Sequence, residues 1–327
     1  MAAARAGAVI GLLGLVLAVV VGGCGGAGGQ APEAVAEIMD CGPQLGALGY
    51  AEGLGIGQNG ELLIADTWND RIVRAGPDCN VVGAFGEYGA KEGQLQCPRS
   101  VTTDKDGNIY VVDCWNHRVV KFSPEGRFLL ALGGQGAPFG NDEAHGKFAY
   151  PYGVAVDSQG FIYVSDFNNN RIQKFDPQGK IAKDEQGEDM VWGTEGRQDG
   201  QFSHPAGLAM DSQDQLYVAD VGNNRVQRFH TNGDFAGKWG KEGDKPEEFN
   251  GPYSVCVDKD DNVYVADFWN HRVQKFTSGG DLVWVYGERG SEKGQLELPL
   301  SVAAGADGAV YVSDWGNNRI QKLLPAS

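Results

Sequence analysis

Residues 151–179 read PYGVAVDSQGFIYVSDFNNNRIQKFDPQG, and this stretch decides the fold. An apolar alternating piece, Gly153–Asp157, runs into an Asp-Ser-Gln-Gly turn. A second piece, Phe161–Asp166, follows, and after an Asn-rich turn a third, Arg171–Phe175. Period-two runs bounded by Gly, Asn, Asp and Pro are strand signals, and no helical period competes with them.

The same text recurs along the chain. PRSVTTDKDGNIYVVDCWNHRVVKFSPEG starts at Pro98, PAGLAMDSQDQLYVADVGNNRVQRFHTNG at Pro205, and PYSVCVDKDDNVYVADFWNHRVQKFTSGG at Pro252. PLSVAAGADGAVYVSDWGNNRIQKL starts at Pro299, and a worn first copy, EGLGIGQNGELLIADTWNDRIVRAGPD, at Glu52. An Asp and an Arg five residues apart mark every copy: Asp66/Arg71, Asp113/Arg118, Asp166/Arg171, Asp220/Arg225, Asp267/Arg272 and Asp314/Arg319. Successive arginines are 47, 53, 54, 47 and 47 residues apart. A looser fourth piece, such as Asn80–Gly86 or Asp281–Gly287, completes the unit. Four short strands repeating every ~40–50 residues predict a β-propeller, here an all-β ring of six blades.

The repeats resemble the NHL family, named for Asn-His-Leu. The corresponding triplets here are Asn116-His117-Arg118 and Asn270-His271-Arg272. The resemblance runs from about residue 42 to 323 and implies a six-bladed propeller, in agreement with the count of copies. The last copy stops after its third strand, at Leu323. An N-terminal strand is therefore expected to complete the last blade, since an unpaired edge would otherwise remain. Asp40–Tyr50 is read as that strand, centred on Gln44–Leu48, by its parallel with Asp78–Gly86.

Ahead of the repeats lies an address. Arg5 precedes an apolar run from Ala6 to Val21, then Gly22 and Gly23. This is the layout of a secretory signal, and the run is short for a helix crossing roughly 30 Å of hydrocarbon. Val21-Gly22-Gly23-Cys24 resembles a bacterial lipobox, with Cys24 as the lipidated residue. The expected organisation is residues 1–23 signal peptide, 24–39 flexible tether and 40–327 propeller. The expected location is outside the cytoplasm, anchored by lipid to the cell envelope. Membrane contact is expected only through that anchor.

The formal charge of −16 argues against a nucleic-acid partner, because phosphate binding needs clustered Lys and Arg. Of six cysteines, Cys97 and Cys114 flank the first two strands of the second copy and are read as a candidate disulfide. Cys41 and Cys79 are read as equivalent places on neighbouring blades, kept apart by symmetry. Cys256 is read as a buried thiol.

The repeated Asp and Arg are read as structural, pairing across a turn, because a catalytic site has no use for six copies. The turn aspartates Asp104, Asp157, Asp211 and Asp258 are read as turn-bonding groups rather than calcium ligands. An NHL-like enzyme, the peptidyl-α-hydroxyglycine lyase, holds zinc with three histidines near the axis, two of them just after the first-strand proline. Here that ring reads Glu52, Arg99, Tyr152, Ala206, Tyr253 and Leu300, without histidine. No metal site, cofactor or catalytic residue is assigned.

What varies between copies points to binding. The residues after each marker Asp include Trp68, Trp115, Phe167, Trp269 and Trp315, in turns on the face where the first strands start. With Arg99, Tyr152 and Tyr253 of the axial ring they form the candidate ligand-binding set, since aromatic side chains on turns offer apolar area with polar handles. Trp192, Trp239 and Trp284 belong to fourth strands and are read as structural. The function expected is a non-catalytic recognition scaffold for a protein, peptide or glycan, acting as a monomer or within a hetero-complex. The alternative is a metal-dependent lyase or hydrolase with its site near the axis.

Overall fold

A computed structural model describes residues 35–136 and 144–325. They form six four-stranded antiparallel sheets, the blades of a propeller. In blade two the strands run Pro98–Thr103, Ile109–Asp113, Arg118–Phe122 and Phe128–Gly133, from the axis outward. The second strand is buried throughout in every blade. This explains why pieces such as IYVVD are apolar on both faces rather than alternating.

The starts of the innermost strands and the turns joining second to third strands share one face, called here the upper face. The Asp-x-x-Gly turns lie on the other. Asp157 explains those turns: its Oδ1 accepts the amides of Gln159 and Phe161 at 3.0 and 2.9 Å. Its Oδ2 accepts the Tyr163 hydroxyl at 2.9 Å. The carboxylate therefore holds its own turn closed, as the sequence suggested. The inner strands crowd together around the axis. A Cβ on Gly53 or Gly153 would sit 2.3 Å from the Arg99 or Ala206 carbonyl oxygen, so only glycine fits there.

The two longer repeats have separate causes. The 53-residue spacing falls on the connection between blades two and three. The 54-residue spacing reflects an extra excursion on the rim of blade three, where Lys183 bridges Asp189 before a two-residue outer strand, Val191–Trp192.

Ring closure takes place as expected, but with a different segment. The outer strand of blade six is Val35–Asp40, paired antiparallel with Arg319–Pro325 so that Asp40 lies opposite Gln321. Residues 35–39, assigned to the tether, are thus part of this strand. Residues 42–45 form a single helical turn with Pro43 at its start, not a strand. Leu48 is buried where Leu95 is buried ahead of the next blade. The segment around it corresponds to an inter-blade connection, which is why its likeness to an outer strand misled. Residues 1–34, including the signal segment and Cys24, lie outside the described residues.

The disulfide expectation is corrected. Cys97 and Cys114 are free and buried, and the bonded pair is Cys41–Cys79, with Cα atoms 5.4 Å apart. The register pairs Pro98 with Asp113, so both thiols lie beyond the end of the ladder. There the Cys97 amide is committed to Asp70 Oδ1 of blade one at 2.9 Å, while Cys114 opens the short turn after Asp113. The seams explain the true pairing. An outer strand packs on the next blade's turn between third and fourth strands: Phe85 against Gly126, Trp192 against Gly233, Trp239 against Gly280. At the closing seam Cys79, with φ 65°, stands in the glycine's place, and Cys41 reaches it from the end of the closing strand. Symmetry therefore brings the two together. Trp192 and Trp239 are structural, as read, and Trp284 packs on Tyr264 at 5.6 Å between ring centres.

Candidate functional site

The upper face is built by one network repeated in each blade. The marker Asp accepts, through Oδ1, the backbone amide 17 residues before it: Gly49, Gln96, Ala149, Ser203, Asn250 and Glu297 in turn. Its Oδ2 accepts the marker Arg Nε at 2.7–2.8 Å. Every marker Asp is fully buried. The pairs are structural, as the sequence reading held.

The residue just before each marker Arg takes a left-handed conformation and reaches the next blade. His117 Nδ1 accepts the Tyr150 amide, and His271 Nδ1 accepts the Leu298 amide, both at 3.1 Å. Asn170, Asn224 and Asn318 accept the amides of His204, Gly251 and Tyr50 through Oδ1 at 2.7–3.0 Å. Asp70 does the same for Cys97. Burial lowers the pKa of both His117 and His271, which favours the neutral ring and leaves Nδ1 free to accept. These histidines are blade-to-blade fasteners.

This fastening sets a second ring of upper-face positions that the sequence reading passed over. The residues one place before the proline position of each repeat, Tyr50, Cys97, Tyr150, His204, Gly251 and Leu298, all have φ between 53° and 69°. The signal was available, since each precedes the proline position of its repeat. Of the six only Cys97 was named above, as a disulfide candidate.

Inside that ring the axis is plugged. Glu52, Arg99, Tyr152, Ala206, Tyr253 and Leu300 are each at most 6% exposed. Tyr152 and Tyr253 lie 5.9 Å apart, and the Arg99 guanidinium sits 5.1 Å over the Tyr152 ring. Burial pushes the Tyr253 hydroxyl up to about 12, raises that of Tyr152 as well, and raises the Glu52 carboxyl against the pull of Arg99. Phe167, 8% exposed, stacks on Tyr152 at 5.6 Å. Four of the eight candidate binding residues are therefore core: Arg99, Tyr152, Tyr253 and Phe167. Side-chain size decides this, because two tyrosines, an arginine and a leucine fill the ring they share.

The other four separate differently. Trp269 is 38% exposed and meets Phe268 edge-on at 4.9 Å. Phe268 continues to Trp315 at 6.1 Å, Trp315 to Tyr50 at 5.3 Å, and Tyr50 to Trp68 at 4.5 Å. Trp269, Trp315, Tyr50 and Trp68 thus form an arc across blades five, six and one, with Phe268 beneath. The indole N–H groups of Trp68 and Trp315 are buried and have no acceptor among the described residues. Trp115 stands apart, packed with Tyr150 on the core between blades two and three. Among the described residues no three His, Cys, Asp or Glu side chains converge as a metal site.

Beneath the plug the inner strands enclose a cavity of about 250 Å³. Its upper end is the buried ring. Its lower end is lined by Ile56, Thr103, Val156, Met210, Val257 and Ala304, all half-buried, so solvent reaches it from the lower face.

The family model described as "NHL repeat" matches residues 95–122, 148–175, 202–229, 249–276 and 296–323. A peptidylglycine alpha-amidating monooxygenase of Rattus norvegicus is 41% identical over 100 residues, covering 28% of this chain and 9% of that protein. The match thus spans under a tenth of the relative's length. A streptogramin B lyase structure superposes with a TM-score of 0.59 at 14% identity, over 89% of this chain and 98% of that one. A gluconolactonase from Xanthomonas campestris gives 0.61 at 16% identity, over 88% and 89%. At these identities the structural likeness shows the fold alone.

Proposed function

Because the chain belongs to the NHL-repeat β-propellers, we propose that it is a non-catalytic recognition scaffold that binds a protein, peptide or glycan through its upper face. The observation that carries this is the arc Trp269–Trp315–Tyr50–Trp68. Its outer end is exposed and its rings touch in series through Phe268. Such rims of Trp and Tyr are where binding energy concentrates at interfaces. The site is narrower than the sequence set: Arg99, Tyr152, Tyr253 and Phe167 support it from below, and Trp115 lies outside it.

Truncating one anchor aromatic commonly costs about 2 kcal/mol, on the order of thirtyfold in affinity. Trp269→Ala should therefore weaken capture of the native partner from envelope fractions by roughly that factor. Gln213→Ala, exposed on the lower face, should leave capture unchanged. Both variants should melt with the parent. A stable Trp269→Ala, Trp68→Ala double variant that captures the same partner as tightly as the parent would sink the assignment.

The scaffold is proposed to work at the envelope surface, held by lipid on Cys24. The support is the sequence alone: the apolar run ending in Val21-Gly22-Gly23-Cys24. Cys24→Ser should move the protein from the membrane to the soluble fraction. A variant that stays with membranes at the parent's level contradicts the anchor.

A further inference from the structure

We propose, on the reading that the upper-face arc is the binding site, that its partner is a basic peptide segment. The segment sets a Lys or Arg side chain on Trp269, beside the acidic connection on which that indole rests.

Trp269 is the exposed end of the arc, and its seat is fixed. Its amide donates to the Asn250 carbonyl at 3.0 Å. Its indole lies against Gly251, where a Cβ would come within 2.8 Å of the ring. Phe268 meets it edge-on. The indole therefore rests on residues 240–251, the connection from blade four to blade five. Arg272, the marker arginine of the same blade, clamps that connection. It donates to the carbonyls of Asp244 and Lys245 at 2.7 Å and of Glu248 at 2.8 Å. The Glu247 amide donates to Gln274 Oε1 at 3.0 Å. Ring and loop are held in one frame, so little ordering is left to be done on binding.

Charge then selects the partner. This connection and the next, residues 287–298 beside Trp315, hold seven acidic and four basic residues, an excess of three negative charges. Two of the bases are already paired: Lys241 with Glu248 at 3.3 Å and Arg289 with Glu297 at 3.2 Å. Glu242, Asp244 and Glu247 are exposed, and their carboxylates have no partner among the described residues. The arc itself is uncharged. An aromatic face attracts a cation, and tryptophan does so most strongly. The surrounding negative charge draws cations in and repels anions. Both effects act at one place. An acidic segment is opposed by the carboxylates, and a neutral glycan stacks on the indole without using them. Trp315, Tyr50 and Trp68 offer apolar area to the residues next to the basic one, which suits a peptide better than a lone cation.

The probes are acetylated, amidated tetra-arginine, the tetra-glutamate equivalent and cellotetraose. Each is titrated into the purified protein and followed by tryptophan fluorescence and by the indole N–H signals in NMR. Tetra-arginine should bind saturably, with a dissociation constant of about 0.1 mM at low ionic strength, and the other two at least about tenfold more weakly. Trp269→Leu keeps apolar area but loses the ring face, and should weaken tetra-arginine about tenfold; Trp269→Phe should weaken it less. Asp244→Asn with Glu247→Gln should also cost about tenfold and flatten the salt dependence. Glu185→Gln with Glu188→Gln, the same charge change on the rim of blade three, should cost less than about twofold. Melting midpoints check that each variant is folded. No saturable binding of tetra-arginine, equal binding by parent and Trp269→Leu, or equal effects of the two carboxylate pairs would each overturn the proposal. Trp269-dependent binding of cellotetraose or tetra-glutamate in place of tetra-arginine would overturn it too, while leaving the arc as the site. If capture of the native partner is also indifferent to Trp269, the arc itself is lost as the binding face.

Discussion

Replacing Cys41 or Cys79 by serine should lower the thermal midpoint by about 10 °C, and a reducing agent should bring the parent down to the same value. The bond spans 38 residues of sequence. Cross-linking a loop of that size stabilises by about 4 kcal/mol in the chain-entropy description. For a domain of this size each kcal/mol is worth about 2–4 °C. The position makes the effect large. The bond ties the closing strand Val35–Asp40 to blade one, and that strand alone covers the edge of Arg319–Pro325. Freed, it can peel away and expose an unpaired strand, a starting point for opening and aggregation. Cys79→Gly should lose about 1 kcal/mol less than Cys79→Ser. Cys79 has φ 65°, and Gly126, Gly179, Gly233 and Gly280 hold the equivalent place with φ 80–94°. Glycine would relieve that backbone, whereas serine would keep the strain. Equal midpoints for parent, Cys41→Ser and Cys79→Ser would refute the seam's role, and a Cys79→Gly variant no more stable than Cys79→Ser would refute the account of its strain.

What could be read from the sequence was what is local. Each turn carries its own chemistry: Asp157 binds the amides two and four residues on, and Asp220 meets Arg225 across one short turn. Six copies of such turns announce six blades without knowledge of distant contacts. The closing seam is different. Val35–Asp40 pairs with a strand almost three hundred residues away, and its text, VAEIMD, has neither the marker residues nor a clean alternation. The disulfide was hidden for a related reason. Its geometry depends on an outer strand lying against the next blade's turn, a contact no spacing within one repeat reveals.

The candidate site divides along the same line. That Arg99, Tyr152 and Tyr253 share a ring around the axis follows from the repeat register. That they fill the ring follows from side-chain volumes summed across blades, which the register does not state. Tyr50 was passed over, and Phe268 left out of the binding set, because each is read within its own copy as a residue beside a turn. Their role appears only when Trp315 of blade six is seen to lie between them. Glu52 stood in the ring from the start, and its ion pair with Arg99, 3.3 Å long, shows only when neighbouring blades are set side by side.

Asp220→Ala should cost about 3–5 kcal/mol, a fall of about 10 °C or more. Asp220 is fully buried and accepts from Ser203 N at 2.7 Å, Arg225 Nε at 2.7 Å, Asn223 Nδ2 at 2.9 Å and Gln227 Nε2 at 3.1 Å. Alanine leaves all four donors facing an apolar gap. Arg225 keeps its bonds to the carbonyls of Arg197, Gln198 and Gln201 but loses its counter-charge. Removing one partner of a buried pair is far more damaging than the net worth of the pair, because the remaining charge stays buried. Asp220→Asn should fall between parent and alanine, since the amide oxygen can still accept two of the donors while its N–H₂ opposes the others. A surface pair gives the control: Asp189, bridged to Lys183 and His145 on the rim, should cost less than about 1 kcal/mol as alanine. The measurement is equilibrium unfolding in urea for all three variants. An Asp220→Ala midpoint within error of the Asp189→Ala midpoint would mean that the repeated Asp–Arg network does not hold the blades. The structural reading of the marker pair would then have to be given up.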